Sequence, residues 1–279
     1  MRVAITGGTG LVGRALCERL LDAGHEILVL SRHPGVGRSA RERQVAWPGG
    51  DTQTYEAGAW QSEVAGCDAV VHLAGASIGQ GRWTAAVREQ ILRSRVVGTR
   101  RIVEAMRAGG PTVLVTASAV GYYGDGGDRE LVEDAPPGND FAAGVCRRWE
   151  EEAVRAEEAS VRVARARLGI VLARHGGALE RMLLPFRMFV GGPVGSGRQW
   201  ISWVHLEDAV SGLMFLLSDA EASGAFNLTA QEPVRSRDFA RAIGAAMGRP
   251  SYLPAPAVMM RLMFGEMAEV LLLSGQRAL

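Results

Sequence analysis

The first 23 residues constrain this chain more than any other feature. "RVAIT" (2–6) is a short, β-branched apolar run, "GGTGLVG" (7–13) follows it directly, and residues 11–23 carry helical apolar spacing. A strand that passes through glycines straight into a helix leaves no room for side chains at the turn. Gly7 allows the tight turn, Gly10 lets a ligand approach the backbone, and Gly13 lets the helix pack against the strand. The unpaired N–H groups at the helix start carry partial positive charge, which suits a diphosphate. Gly7, Thr9, Gly10, Leu11, Val12 and Gly13 are the expected phosphate-binding segment.

The same grammar continues to about residue 170. Strands are expected at 26–31, 69–74, 112–118 and 162–172, and helices at 83–108 and 140–157. Most of these strands are nearly continuous in apolar character, as strands covered on both faces must be. Strand–helix alternation implies right-handed βαβ units and a parallel sheet. The fold class is therefore α/β: a Rossmann-type, doubly wound parallel sheet flanked by helices, with a smaller C-terminal cap. Residues 1–175 form the cofactor-binding unit. Residues 176–279 form the cap or substrate region, interleaved with the main sheet. It is Gly-rich and apolar over 176–203, helical over 205–219 and 235–248, with a short strand at 225–229 and a Pro-punctuated linker at 249–257.

The second strand ends in "LSRHP", 18 positions beyond Gly13 at Ser31. A cofactor without a 2′-phosphate would be held there by an Asp or Glu on its ribose hydroxyls. Ser31 and Arg32 instead offer a hydroxyl and a guanidinium, which favour the phosphate of NADP(H).

Composition excludes other classes. The formal net charge is +1 with basic and acidic residues interleaved, so neither nucleic acid nor a membrane is an expected partner. Cys17, Cys67 and Cys146 lack disulfide or metal spacing and read as reduced thiols of a cytoplasmic protein. No metal site is expected.

The order of "TGGTGLVG", "HLAG" and "TASAVGYYGD" resembles the extended short-chain dehydrogenase/reductases, the family of nucleotide-sugar epimerases and dehydratases. "GRW" (81–83), "ILRSRVVGT" (91–99), "DFAAGVCRRWE" (140–150), "MLLPFRMFVGGPVGSGRQWISWVH" (182–205) and "LLLSGQR" (271–277) narrow the resemblance to its atypical, epimerase-like branch. That resemblance covers nearly the whole chain. Chains of this branch usually run further past "SGQR" than Leu279. The resemblance implies that Leu73, Ala74 and Gly75 line the adenine-ribose side of the cofactor. It implies that Arg95 reaches the cofactor from the long helix and that Ile170 lies near the nicotinamide. Helices 83–108 and 140–157 are where the broader family pairs into dimers, leaving monomer and homodimer both open.

One expected element is missing. The broader family uses a Tyr as general acid or base and a Lys four residues on, one helical turn away, which lowers the phenol's pKa. Here the Tyr position falls on Phe141 or Ala142 and the Lys position on Val145 or Cys146. The chain contains no lysine at all, its 31 Lys+Arg residues being all Arg, so no shift of alignment restores the pair. Ser118 matches the family's substrate-orienting Ser, and Tyr122 and Tyr123 on the following loop are the remaining candidates for proton transfer.

Two functional classes remain. One is an NADP(H)-dependent oxidoreductase or epimerase acting on a small hydroxyl- or carbonyl-bearing substrate, such as a nucleotide sugar. The other is a non-catalytic NADP(H)-binding sensor or regulator, a role the resemblance links to cell division. The region 116–149 discriminates them, because only an enzyme needs a titratable group within reach of a bound substrate.

Overall fold

Side chains of β1 (Arg2–Thr6) alternate between two cores. Val3 and Ile5 pack on one face of the sheet with Leu16, Leu20, Leu213 and Leu216. Ala4 lies on the other face with Leu28, Val70, Ile102 and Leu114. This period-two alternation between two apolar layers is why the strands read as continuous apolar runs. The computed structural model describes residues 1–50, 58–79 and 81–279.

After β1 come α1 (Leu11–Asp22), β2 (Glu26–Ser31), β3 (Glu42–Ala46), α2 (Ala59–Ala65), β4 (Ala69–His72), α3 (Ala85–Arg107) and β5 (Val113–Ala119). Next are β6 (Glu130–Leu131), α4 (Phe141–Val154), β7 (Arg162–Leu168), β8 (Ile170–Leu172) and α5 (Gly177–Arg187). The last third holds β9 (Trp200–Ile201), β10 (Trp203–His205), α6 (Leu206–Ser218), β11 (Gly224–Leu228), β12 (Val234–Arg235) and α7 (Ser236–Met247). It closes with α8 (Ala257–Phe264), the short α9 (Glu266–Ala268) and β13 (Arg277–Ala278).

Seven strands form one sheet in the order β11-β7-β5-β4-β1-β2-β3, every pair parallel. Helices α1 and α6 pack together on one face, and α2, α3 and α4 cover the other. The order reverses between β1 and β4, so a crevice opens at their carboxyl ends, where such sheets bind ligands. Short polar residues start the two long helices: Thr84 Oγ1 accepts from Val87 N, and Asp140 Oδ1 accepts from Ala143 N at 2.9 Å.

The structure departs from the sequence reading at three points. The single strand expected at 162–172 is two strands. Gly169 sits so close to the next segment that a Cβ would lie 2.8 Å from the Ser202 oxygen, and beyond it β8 leaves the sheet to pair with β10. The edge strand β3 was not anticipated, because "ERQVA" is polar and covered on only one side. The 176–203 region is not only loop: α5 runs through it, seating Phe186 against Ala240 and Ile243 of α7. The pair β9–β12 lies within the cap, and β6–β13 ties the cap to the body. β11, from the second half of the chain, completes the main sheet.

Candidate cofactor site

Gly7 turns the chain out of β1 with φ of +71°. A Cβ at Gly7 would meet the Leu73 carbonyl carbon at 2.9 Å, and one at Gly13 would lie 2.2 Å from the Gly7 oxygen. Neither position admits a side chain. At Gly10 a Cβ would meet only the Gly7 oxygen, at 3.3 Å, so this glycine keeps open space in front of the backbone. Helix α1 starts there with no side-chain cap and no acid in its first turn. Its terminal N–H groups are left for a ligand.

A cleft of about 490 Å³ opens at this point. It runs from Gly7, Thr9 and Gly10 past Leu73, Ala74 and Gly75 to Ser31 and Arg32 at the end of β2. These are the residues expected to line it. Trp47, Gly49, Gly50 and Ser94 also form its wall and were not anticipated. The "WPGG" turn directly after β3 is the signal that would have pointed to three of them. Ser31 Oγ donates to the His33 oxygen at 3.1 Å and accepts from His33 N at 3.2 Å. That local turn leaves the Arg32 side chain exposed at the cleft's end.

Leu11 and Val12 contribute differently. Val12 packs into the core under the helix, and Leu11 meets α5, where a Cβ on Gly177 would lie 2.8 Å from its Cδ2. Arg95 stands behind the cleft wall. It donates to the Ala76 oxygen at 2.9 Å and the Ile91 oxygen at 3.2 Å, and lies 5.1 Å from the Trp149 ring centroid. Its guanidinium carbon would be 3.0 Å from a Cβ on Gly75, so it braces the loop after β4. Ile170 opens β8 beside Trp203 and is not part of the cleft wall.

His72 is a core residue. Thr6 Oγ1 is 2.7 Å from its Nδ1 and also accepts from Leu73 N and Ala74 N. With both lone pairs used, the hydroxyl donates to Nδ1 and the ring proton rests on Nε2, which has no partner among the described residues. Burial, aided by Arg95, pulls the His72 pKa down to about 3.

The region of the missing dyad is closed by a buried ion pair. Ser118 Oγ donates to Glu150 Oε1 at 2.6 Å. Arg167 grips the same carboxylate with two bonds of 2.8 Å and donates to the Tyr123 hydroxyl at 2.9 Å. The Tyr123 hydroxyl in turn donates to Asn227 Oδ1 at 2.8 Å. Tyr122 lies face-on beneath Arg167, 3.6 Å from its guanidinium carbon. Ser118, Tyr122 and Tyr123 thus converge on the Glu150–Arg167 pair. Burial opposes the Arg167 charge, yet Glu150 and Tyr123 outweigh it and hold the pKa above the ordinary value. Burial also raises the Tyr123 pKa. The Tyr122 hydroxyl makes no hydrogen bond among the described residues.

The geometry resolves which α4 residues stand at the dyad positions. Ala142 faces Gly121 on the loop after β5, and the Cys146 thiol lies beside Ser118 and the Ala119 backbone. The Lys place is therefore taken by Cys146, whose pKa burial pushes up to about 11. Arg95, from the neighbouring helix, is the cation acting on that thiol. Phe141 turns away to meet Trp83 edge-to-face, with ring centroids 4.9 Å apart. His205 caps α6, its Nδ1 accepting from Glu207 N at 3.3 Å.

A doubly wound parallel sheet with a glycine cradle at its switch point defines an α/β protein of the dinucleotide-binding type. The chain belongs to the NAD dependent epimerase/dehydratase family, whose profile matches residues 3–229. Residues 255–279 match a domain of unknown function, DUF1731. The chain is 40% identical over 286 residues to the chloroplastic SDR39U1 homolog of Arabidopsis thaliana, covering 100% of this chain and 80% of that protein. It is 36% identical to epimerase family protein YfhF of Bacillus subtilis, covering 100% of this chain and 90% of that one. The crystal structure of human epimerase family protein SDR39U1 (isoform 2) with NADPH superposes with a TM-score of 0.85 at 32% identity, covering 100% of this chain and 91% of that one.

Proposed function

We propose that this protein is an NADP(H)-dependent oxidoreductase or epimerase of a small hydroxyl- or carbonyl-bearing substrate, working without the usual Tyr–Lys pair. One observation carries the cofactor reading: the cradle at Gly7, Gly10 and Gly13, where side chains are excluded at Gly7 and Gly13, space stays open at Gly10, and the helix N–H groups are left uncapped. The residues present fit a dinucleotide. The cradle would hold the diphosphate, Leu73, Ala74 and Gly75 would line the adenine-ribose side, and Ser31 with Arg32 would hold the 2′-phosphate, all of them, with Gly7 and Gly10, walls of the one cleft. The human relative's NADPH supports the same choice. The bound nicotinamide would supply hydride transfer. Arg95 keeps the loop after β4 in place, and the Tyr122 hydroxyl is the group available to exchange a proton with substrate. A nucleotide sugar is one candidate substrate. The location in this reading is cytoplasmic and the partner is a small molecule.

The Ser118–Glu150 bond favours a second reading. A serine already committed to a buried carboxylate is not free to orient a substrate, which suits a protein that binds NADP(H) as a signal. Calorimetric titration with NADPH, NADP⁺, NADH and NAD⁺ tests the shared premise. NADPH should bind, and Arg32→Ala should weaken it by roughly 10- to 100-fold, the worth of a charge-assisted hydrogen bond. NADH affinity should not change. Equal affinity for NADH in the parent protein would remove the 2′-phosphate preference, and no binding of any of the four would remove both readings. Turnover in a carbonyl-substrate screen, lost on Tyr122→Phe, separates enzyme from sensor.

A further inference from the structure

Helix α8 has its apolar side turned outward. None of its residues is buried. Val258 and Leu262, one helical turn apart, are 72% and 75% exposed, and Met259 and Met263 repeat the stripe beside them. Next to α8 in the fold, the segment after α5 runs along 251–255. Leu253 N donates to the Gly191 oxygen and Ala255 N to the Pro193 oxygen. That segment adds exposed Met188, Phe189 and Val190, and the facing one adds Tyr252. A single protein rarely leaves so many large apolar side chains in one region without a use.

Phe189 strengthens the case. It closes α5 with φ of +62°, its N–H bonded to the Phe186 oxygen. Glycine is the unstrained residue at such a helix end. An aromatic there is justified by buried contact or by what its ring touches outside. The ring is 55% exposed, and its observed companion is Arg249, whose guanidinium lies 4.2 Å from the ring centroid.

The arginines of this region are only partly compensated by acids. Residues 181–206 contain three arginines and no acid, and residues 239–265 contain three arginines and no acid. Arg261 is neutralised by Glu269 and Arg241 by Asp238. Arg187 and Arg249, set among the exposed apolar side chains, have no carboxylate partner among the described residues. The overall charge of +1 does not report locally unpaired arginines such as these. A second copy docking through a twofold axis would set cation against cation. An anionic lipid surface satisfies both features, taking the Leu, Met, Phe and Tyr side chains into its interface and the arginines among its headgroups. Among the described residues no helix is long and apolar enough to cross a membrane, so the attachment is peripheral.

We infer that the face formed by α8, residues 188–190 and residues 249–253 is a docking surface for anionic lipid membranes. Vesicle co-flotation of the full chain tests this. Binding is expected to vesicles of equal parts phosphatidylglycerol and phosphatidylcholine, and not to phosphatidylcholine alone. Arg187→Ser and Arg249→Ser should each weaken binding about fivefold. The double variant Val258→Glu, Leu262→Glu should abolish it while leaving the thermal midpoint unchanged, since both side chains lie outside the cores. Equal binding to the uncharged vesicles, binding to neither, or unchanged binding by the glutamate variant would overturn the inference. So would self-association that the glutamate variant abolishes while vesicles are ignored.

Discussion

Ser118 on β5 and Glu150 on α4 are joined by a 2.6 Å hydrogen bond, and Arg167 on β7 grips both oxygens of the same carboxylate. Three elements of the sheet's second half are locked by one buried acid. Removing one member of such a pair strands a charge in the core. Glu150→Ala should therefore cost about 3–5 kcal/mol, read as a lower midpoint in urea unfolding. A loss within a few tenths of a kcal/mol would show that water replaces the carboxylate.

At the cradle, Gly13→Ala should disrupt both folding and ligand binding. The new methyl would lie 2.2 Å from the Gly7 oxygen, and relief requires the turn to move. We expect a destabilisation of about 1–3 kcal/mol together with loss of NADPH binding. Retained affinity in calorimetry would show that the turn is not the phosphate site.

His72 predicts a pH dependence. Its pKa falls from 6.5 in the unfolded chain to about 3 in the folded one. Between these values the unfolded state binds the extra proton, so stability rises with pH in this window. The contribution is fully present above 6.5 and is lost progressively as pH falls toward 3, to the order of a few kcal/mol. His72→Gln keeps a polar partner for Thr6 and should flatten this acid limb in unfolding measured from pH 7 downward. An unchanged limb would assign it to carboxylates.

Cys146 occupies the place of the missing lysine. Rebuilding the pair with Ala142→Tyr and Cys146→Lys should not restore ordinary chemistry, because the ammonium would be buried beside Arg95. We expect lower stability and no gain of turnover. A stable, more active variant would show that Arg95 can yield. The three buried thiols should resist maleimide in the native protein and react after unfolding.

Local sequence carried much of this protein's organisation. Val3 and Ile5 against Ala4, the glycines at 7, 10 and 13, and the Ser31–Arg32 step each report a backbone period or a turn that short-range chemistry decides by itself. The absence of lysine excluded the usual catalytic pair without any coordinates. Tertiary structure decided the rest. Whether Ser118 and Tyr123 are free depends on Glu150, Arg167 and Asn227, which lie 32, 44 and 104 positions away along the chain. Trp47 and Ser94 reach the cleft only because β3 and α3 pack beside it. The outward stripe of α8 has the same periodicity as a buried one, so the spacing of Val258 and Leu262 defines a helix face but not which way it turns. Periodicity is a property of neighbours in sequence. Burial and hydrogen-bond partnership are properties of neighbours in space, and the packed fold alone brings those together.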